Sequence, residues 1–137
     1  SDALFDAGKA EVKPAGRRVL GDIAGVLRTI PDHRFQIAGH TDDKKLKKNA
    51  RFASNWDVSA ARAVAVVEVL VERGLSPQRL SAAGYGEFAP VAPNAAEEGR
   101  AKNRRIEIAL LTEQEAKQED AGKTGKAPGE AGAAAAP

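Results

Sequence analysis

Two stretches of helical periodicity, each set between short apolar runs, constrain this chain more than any other feature. From Val19 to Ile30 the residues Val19, Leu20, Ile23, Ala24, Val26, Leu27 and Ile30 recur at spacings of three and four before Pro31. That stripe marks a helix packed on one side, with Pro14 near its start. A second helix is expected from about Asn55 to Arg73. Ser54 is placed as its N-cap, Asp57 three residues later as a capping-box partner and Gly74 as its stop. Around these lie the runs "ALF", "RFQIAGH", "RLSAAGYG" and "RRIEIALL". In the second and fourth, Phe35 and Ile37, then Ile106 and Ile108, alternate with other residues in the period of a half-buried strand. The order is β-α-β-α-β, a loop with a basic turn, then β. Such alternation implies parallel pairing through right-handed crossovers, with both helices on one face of the sheet and an antiparallel last strand.

The chain has 137 residues, enough for one domain with a core, which a 4% aromatic content requires to be mostly aliphatic. The folded unit is expected to span residues 1–112. Residues 113–137 are expected to form a frayed helix ("TEQEAKQE") and a disordered tail, because positions 120–137 are Ala, Gly or Pro at 13 of 18 places and lack large apolar side chains. A net charge of +2 argues for no polyanionic partner by itself. Without cysteine there are neither disulfides nor thiolate chemistry. A chain that starts at Ser1 and has no methionine is expected to be a processed fragment, any leader or anchor lying outside it. The longest aliphatic run, residues 63–71, is interrupted by Glu68 and falls short of the roughly 20 residues that span a membrane.

Asp42 follows the second strand, at the carboxyl end where open α/β sheets place their ligand crevice, and Asp6 follows "ALF" in the same sense. Asn55, Val58 and Arg62 share one face of the second helix by their spacing of three and four. A carboxylate can pair with an ammonium and a guanidinium can grip a carboxylate by two parallel hydrogen bonds, so the pair suits an amino-acid-like zwitterion. By spacing alone, however, the stronger reading of Asp42 is a turn former and of Arg62 a solvated or salt-bridged helix residue.

The strings "LFDAGKAEVKPAG", "IAGHTD", "NARFASNWDVSAARA", "RLSAAGYGEFAPVAPN" and "GRAKNRRIEI", in that order, resemble the OmpA-like domain across about residues 3 to 110. The form "RFxSNW" is nearest to its MotB-like branch. The resemblance implies a β-α-β-α-β-β two-layer sandwich with a mixed sheet. It also implies noncovalent binding of peptidoglycan through the diaminopimelate of the stem peptide, and a periplasmic place as part of an outer- or inner-membrane-anchored protein. The acid of "GHTD" maps to Asp42 and the arginine of "LSxxRA" to Arg62, with Thr41, Asn55 and Asp6 as supporting contacts and Val58 as an aliphatic wall. Val58 stands where leucine is usual, and "DKKLKK" fills a loop that often holds a proline. A homodimer is an assembly the resemblance allows, and contact with a membrane is expected only through an anchor outside the fragment.

Other chemistries are weaker. Two histidines without cysteine make a poor metal site, no cofactor is implied, and His40 of "GHTD" resembles a packing and hydrogen-bonding residue. No nucleophile, base and orienting partner stand in order, so no enzyme is expected. Lys44, Lys45, Lys47 and Lys48 read as a solvated loop, and the arginines of "GRAKNRRIEI" as braces of a turn against nearby carboxylates, rather than as phosphate contacts. Trp56 reads as a core residue, which leaves nucleic acid without a stacking platform. The alternative of a different class is a protein-interaction module that keeps this fold but has lost wall binding, with the lysine loop serving it.

Overall fold

The structure, a computed structural model, describes residues 2–48, 50–112 and 114–118. Helix α1 (Pro14–Arg28) opens on proline, whose fixed φ and missing N–H suit the first turn. It buries Leu20, Ala24 and Leu27 but leaves Val19 and Val26 exposed, so its apolar stripe is narrower than the periodicity suggests. Strand β1 (Phe35–His40) follows, then α2 (Asn55–Glu72), a 3-10 turn at Pro77–Arg79, strand β2 (Leu80–Gly84), the short helix α3 (Glu97–Asn103) and strand β3 (Arg105–Leu110). The sheet order is β2-β1-β3, with β1 parallel to β2 and antiparallel to β3. This is the expected mixed α/β architecture, with the last strand antiparallel.

Strand β1 is central, which explains why it is buried almost throughout rather than half-buried. Phe35 and Ile37 meet Leu20, Leu27, Val66, Val69 and Leu70 in one aliphatic cluster beneath α1 and α2. The tightest contact is made by glycine. Gly39 and Gly84 are register partners on β1 and β2. A Cβ on Gly39 would fall 2.2 Å from the Ser59 carbonyl oxygen, and one on Gly84 would fall 2.6 Å from the Ala60 nitrogen. The backbone of α2 therefore lies in a two-glycine notch, which fixes the helix against the carboxyl ends of both strands. Ser54 caps α2 by accepting from the Asp57 N–H at 3.4 Å and donating to Asp57 Oδ2 at 3.3 Å. Gly74 ends the helix in a left-handed conformation, φ +100°, that other residues rarely adopt.

Three expectations change. Residues 3–5 do not form a strand. Leu4 lies in a turn, its carbonyl accepts from Lys13 N–H at 2.8 Å just ahead of α1, and Phe5 is 3% exposed in the core. Burial satisfies this apolar pair without a ladder, so the sheet has three strands. The basic turn before β3 contains α3, whose Glu97 and Glu98 at the start and Arg100 and Lys102 near the end complement the helix dipole. Asn103, fully buried, anchors it through the N–H groups of Val91 and Ala92 and the carbonyl of Ala92. Trp56 is not a core residue: it is 52% exposed. Beyond β3, Thr112 and Glu115 exchange a capping pair of 3.0 and 3.1 Å that opens a helical turn over residues 114–118. The rest of the expected tail, residues 113 and 119–137, lies outside the described residues. No helix among the described residues is long and apolar enough to cross a membrane.

Candidate ligand site at the carboxyl end of β1

Just past β1 the chain stays paired to the segment after β2: Tyr85 N–H donates to Gly39 and Thr41 N–H to Gly86, at 3.0 and 2.9 Å. This extended pairing sets the turn at Asp42 beside residues 85–88. Thr41 and Asp42 are both buried, and the Thr41 hydroxyl donates to the Asp42 carbonyl at 2.8 Å. Asn55, at the start of α2, reaches across with Nδ2 to the Lys44 carbonyl (3.0 Å), the Asp42 carbonyl (3.4 Å) and Glu87 Oε1 (3.3 Å). Thr41 and Asn55 thus shape the turn that presents Asp42. Val58 is 2% exposed, so it is not a wall that a ligand could touch.

The Asp42 carboxylate is held at both oxygens. Lys44 N–H donates to Oδ1 at 3.0 Å and Arg104 Nη1 donates to Oδ2 at 2.7 Å. The same guanidinium donates to Asp2 from Nε and Nη2, each at 3.1 Å, and to Glu97 Oε2 at 2.6 Å. Hydrogen bonds to Asp2, then Glu97 and Asp42, push the Arg104 pKa above its ordinary value, and those to Arg104 pull Asp2 and Glu97 below theirs. Three carboxylates thus meet on one guanidinium, with Arg100 also paired to Glu97 at 3.2 Å and Arg62 within the field of Asp2 and Asp42.

Arg62 approaches from the other side, two turns into α2. Its Nε donates to the Lys9 carbonyl at 2.8 Å and its Nη2 to the Asp6 carbonyl at 3.1 Å, while its guanidinium covers the Phe5 ring at 5.1 Å. Arginine carries five N–H donors, so three remain for a ligand. Burial lowers the Arg62 pKa, opposed by the carboxylates of Asp2 and Asp42, whose fields reach it without a direct ion pair. Asp6 takes part through its carbonyl; its side chain is exposed and pairs with Lys13 at 3.5 Å.

The structure thus sets Asn55 of α2 against the turn of Thr41 and Asp42, while Arg62, bonded to the Asp6 carbonyl, lies within the field of the Asp42 and Asp2 carboxylates. Two surface depressions of about 440 and 640 Å³ lie near residues 6–17, and neither is lined by Asp42 or Arg62. A fixed carboxylate and a half-free guanidinium match a small group that carries both an ammonium and a carboxylate.

Arg104 and Asp2 were not singled out by the sequence. The arginines of "GRAKNRRIEI" do brace a turn: Arg100 bonds Glu97 and the Asn94 carbonyl, and Arg105 bonds Glu107 and the Ala89 carbonyl. One of the carboxylates that Arg104 braces is the site acid itself. His40 packs as expected, stacked on Tyr85 at 5.0 Å and 6°. Its expected hydrogen bond is absent among the described residues: both ring nitrogens lack a partner, and Glu107 stands 3.6 Å from Nε2. The four lysines of the loop are exposed, as a solvated loop requires.

The sequence profile of the OmpA family matches residues 4–104. Motility protein B of Bacillus subtilis is 41% identical over 109 residues, which cover 79% of this chain and 41% of that protein. The peptidoglycan-binding protein ArfA of Mycobacterium tuberculosis is 39% identical over 101 residues, 74% of this chain and 29% of that one. The chain thus spans less than half the length of either relative. Among solved structures, the periplasmic domain of Helicobacter pylori MotB superposes with a TM-score of 0.75 at 34% identity, covering 82% of this chain and 79% of that chain. These matches indicate no catalytic family. With the profile covering most of its length and such relatives beside it, the chain belongs to the OmpA family.

Proposed function

We propose that this chain is a noncovalent peptidoglycan-binding module that ties an envelope protein to the cell wall from the periplasm, with residues 1–112 carrying the binding. The ligand is the diaminopimelate of the stem peptide: its ammonium pairs with Asp42 and its carboxylate with the free N–H groups of Arg62. The observation that carries this reading is a doubly anchored Asp42 whose field reaches an Arg62 that spends only two of its five donors among the described residues. The wall binding named for ArfA supports it. A few charge-assisted contacts on a small ligand, less the cost of ordering it, correspond to a dissociation constant on the order of micromolar to millimolar, which a polymeric wall strengthens by multivalency.

Protein-free sacculi test the proposal directly. The unaltered chain should sediment with them, and free diaminopimelate should compete it off. Retention that ignores diaminopimelate would leave wall binding but remove the assigned ligand; no retention would remove both.

A further inference from the structure

Beside the charged site stands an aromatic pair that nothing in it uses. Trp56 and Phe88 stack with ring centroids 4.9 Å apart and 26° between planes, yet remain 52% and 63% exposed. In a chain with 4% aromatic residues, leaving two of the largest apolar side chains together in water forgoes burial that would stabilise the fold. The backbone supports this placement. The Ser59 hydroxyl, fully buried, donates to the Trp56 carbonyl at 3.0 Å and accepts from Gly86 N–H at 2.9 Å, binding the helix start to the turn that bears Phe88. A Cβ at Gly86 would stand 3.4 Å from both rings, so the turn passes close against the pair.

The pair is continuous with the site. Trp56 follows Asn55, and Phe88 follows Glu87. Asn55 Nδ2 bonds the Glu87 carboxylate at 3.3 Å while holding the carbonyls of the Asp42 turn. The outer face of either ring, exposed and bordered by the Glu87 carboxylate, fits a pyranose: the sugar's C–H face lies on the ring while a hydroxyl finds the carboxylate at the edge. A nucleobase could also stack here, but its phosphates would lie beside the Glu87 carboxylate.

We propose that Trp56 and Phe88 form a second subsite that takes a pyranose ring of the glycan beside the stem peptide held at Asp42 and Arg62. The inference rests on the reading of the chain as a wall binder. It makes the module a reader of the sugar-peptide junction and not of the peptide alone.

Trp56 is the only tryptophan in the chain, so its emission reports on this surface directly. The unaltered chain is titrated with a diaminopimelate-containing stem peptide and with the same peptide still joined to its disaccharide. The sugar-bearing ligand should bind about three- to tenfold more tightly and change the Trp56 emission. Trp56→Ala and, separately, Phe88→Ala should erase that advantage and leave the affinity for the bare peptide within about twofold. Equal binding of both ligands with unchanged emission overturns the subsite while leaving wall binding in place. A loss shared equally by both ligands in the Ala variants overturns it too, since the rings would then only support the peptide site. A single-stranded oligonucleotide that changes the emission where the disaccharide does not overturns it in favour of base stacking. If neither wall ligand binds the unaltered chain, the wall-binding reading itself fails. Should Trp56→Ala not fold, Phe88→Ala and the emission of the unaltered chain decide the question.

Discussion

Arg104 Nη1 donates to Asp42 Oδ2 at 2.7 Å, and through this bond the turn before β3 fixes the acid at the end of β1. The two residues are 62 positions apart, and the guanidinium is held in place by Asp2 and Glu97 as well. Arg104 thus acts on a ligand through Asp42, as a positioning residue. It sets the direction of the carboxylate that the proposed ligand ammonium would meet.

Replacing Arg104 tests this. Arg104→Ala leaves Asp42, only 11% exposed at its side chain, without its charged partner and should destabilise the fold by roughly 1 to 3 kcal/mol. Arg104→Lys keeps the charge but cannot span three carboxylates, so it should recover only part of both stability and diaminopimelate affinity. Thermal melts and calorimetry check the two together. Full recovery by lysine would mean that charge alone, without the planar fork, holds Asp42.

His40 gives a pH dependence with a definite sign. Burial holds its pKa below the ordinary 6.5, the Arg105 charge acts in the same direction, and Glu107 opposes them. Tyr85 stacks on the ring. The folded state therefore binds the His40 proton less readily than the unfolded chain. Its contribution to stability is complete above pH 6.5 and declines as the pH falls from there toward the lower folded value. Melting temperatures should drop between pH 7.5 and 5.5, and His40→Phe, which keeps a stacked ring but does not titrate, should flatten that drop. An unchanged slope in His40→Phe would assign the dependence to other groups.

The glycine notch carries the placement of the whole site. In Gly39→Ala the new methyl would meet the Ser59 carbonyl at 2.2 Å, and in Gly84→Ala the Ala60 nitrogen at 2.6 Å. Both obstacles are helix backbone, so α2 itself must move. Each variant should cost about 1 to 3 kcal/mol or more. Because Asn55 and Arg62 ride on α2, affinity should fall further than the same loss of stability produces elsewhere in the core. Leu20→Val, distant from the notch, is the comparison: it should lower the melting temperature with little change in diaminopimelate affinity.

How much of this was legible in the sequence follows from how local each cause is. The ends of α2 are written in Ser54 and Gly74, which act within a few residues. The placement of Asp42 past a strand end and of Arg62 on a helix is legible because strand ends and helix faces follow simple periods. The supposed first strand failed since Leu4 and Phe5 need only burial, and an apolar pair does not specify a ladder. Helix α3 has no apolar stripe, and Asn103 holds it by contacts 9 to 12 residues away. Trp56 misleads by its chemistry: a large apolar ring suggests a core, but the residue after Asn55 points away from the turn that α2 covers. Arg104 has no local signal for its bond to Asp42, as only the antiparallel return of β3 beside β1 brings the two together.

The sharpest expectation concerns Asp42 and Arg62 themselves. Removing either side chain as Ala should remove one charged partner of the ligand, costing roughly 2 to 3 kcal/mol, or about thirtyfold to a hundredfold in affinity. The two variants should differ in stability. Asp42→Ala leaves Arg104 with Asp2 and Glu97, whereas Arg62→Ala also releases the carbonyls of Asp6 and Lys9 and loosens the loop between them. Arg62→Lys separates grip from charge: one ammonium cannot hold both carbonyls and still present a flat pair of donors, so it should show a large part of the Ala defect in binding. Circular dichroism establishes that each variant is folded, and calorimetry with free diaminopimelate and with its carboxyl-amidated analogue measures the loss. The amidated analogue should bind the parent weakly and lose little further in Arg62→Ala, because the carboxylate assigned to Arg62 is already gone. Folded Ala variants that bind both ligands as the parent does would make the two residues structural, and would place the wall contact elsewhere on the domain.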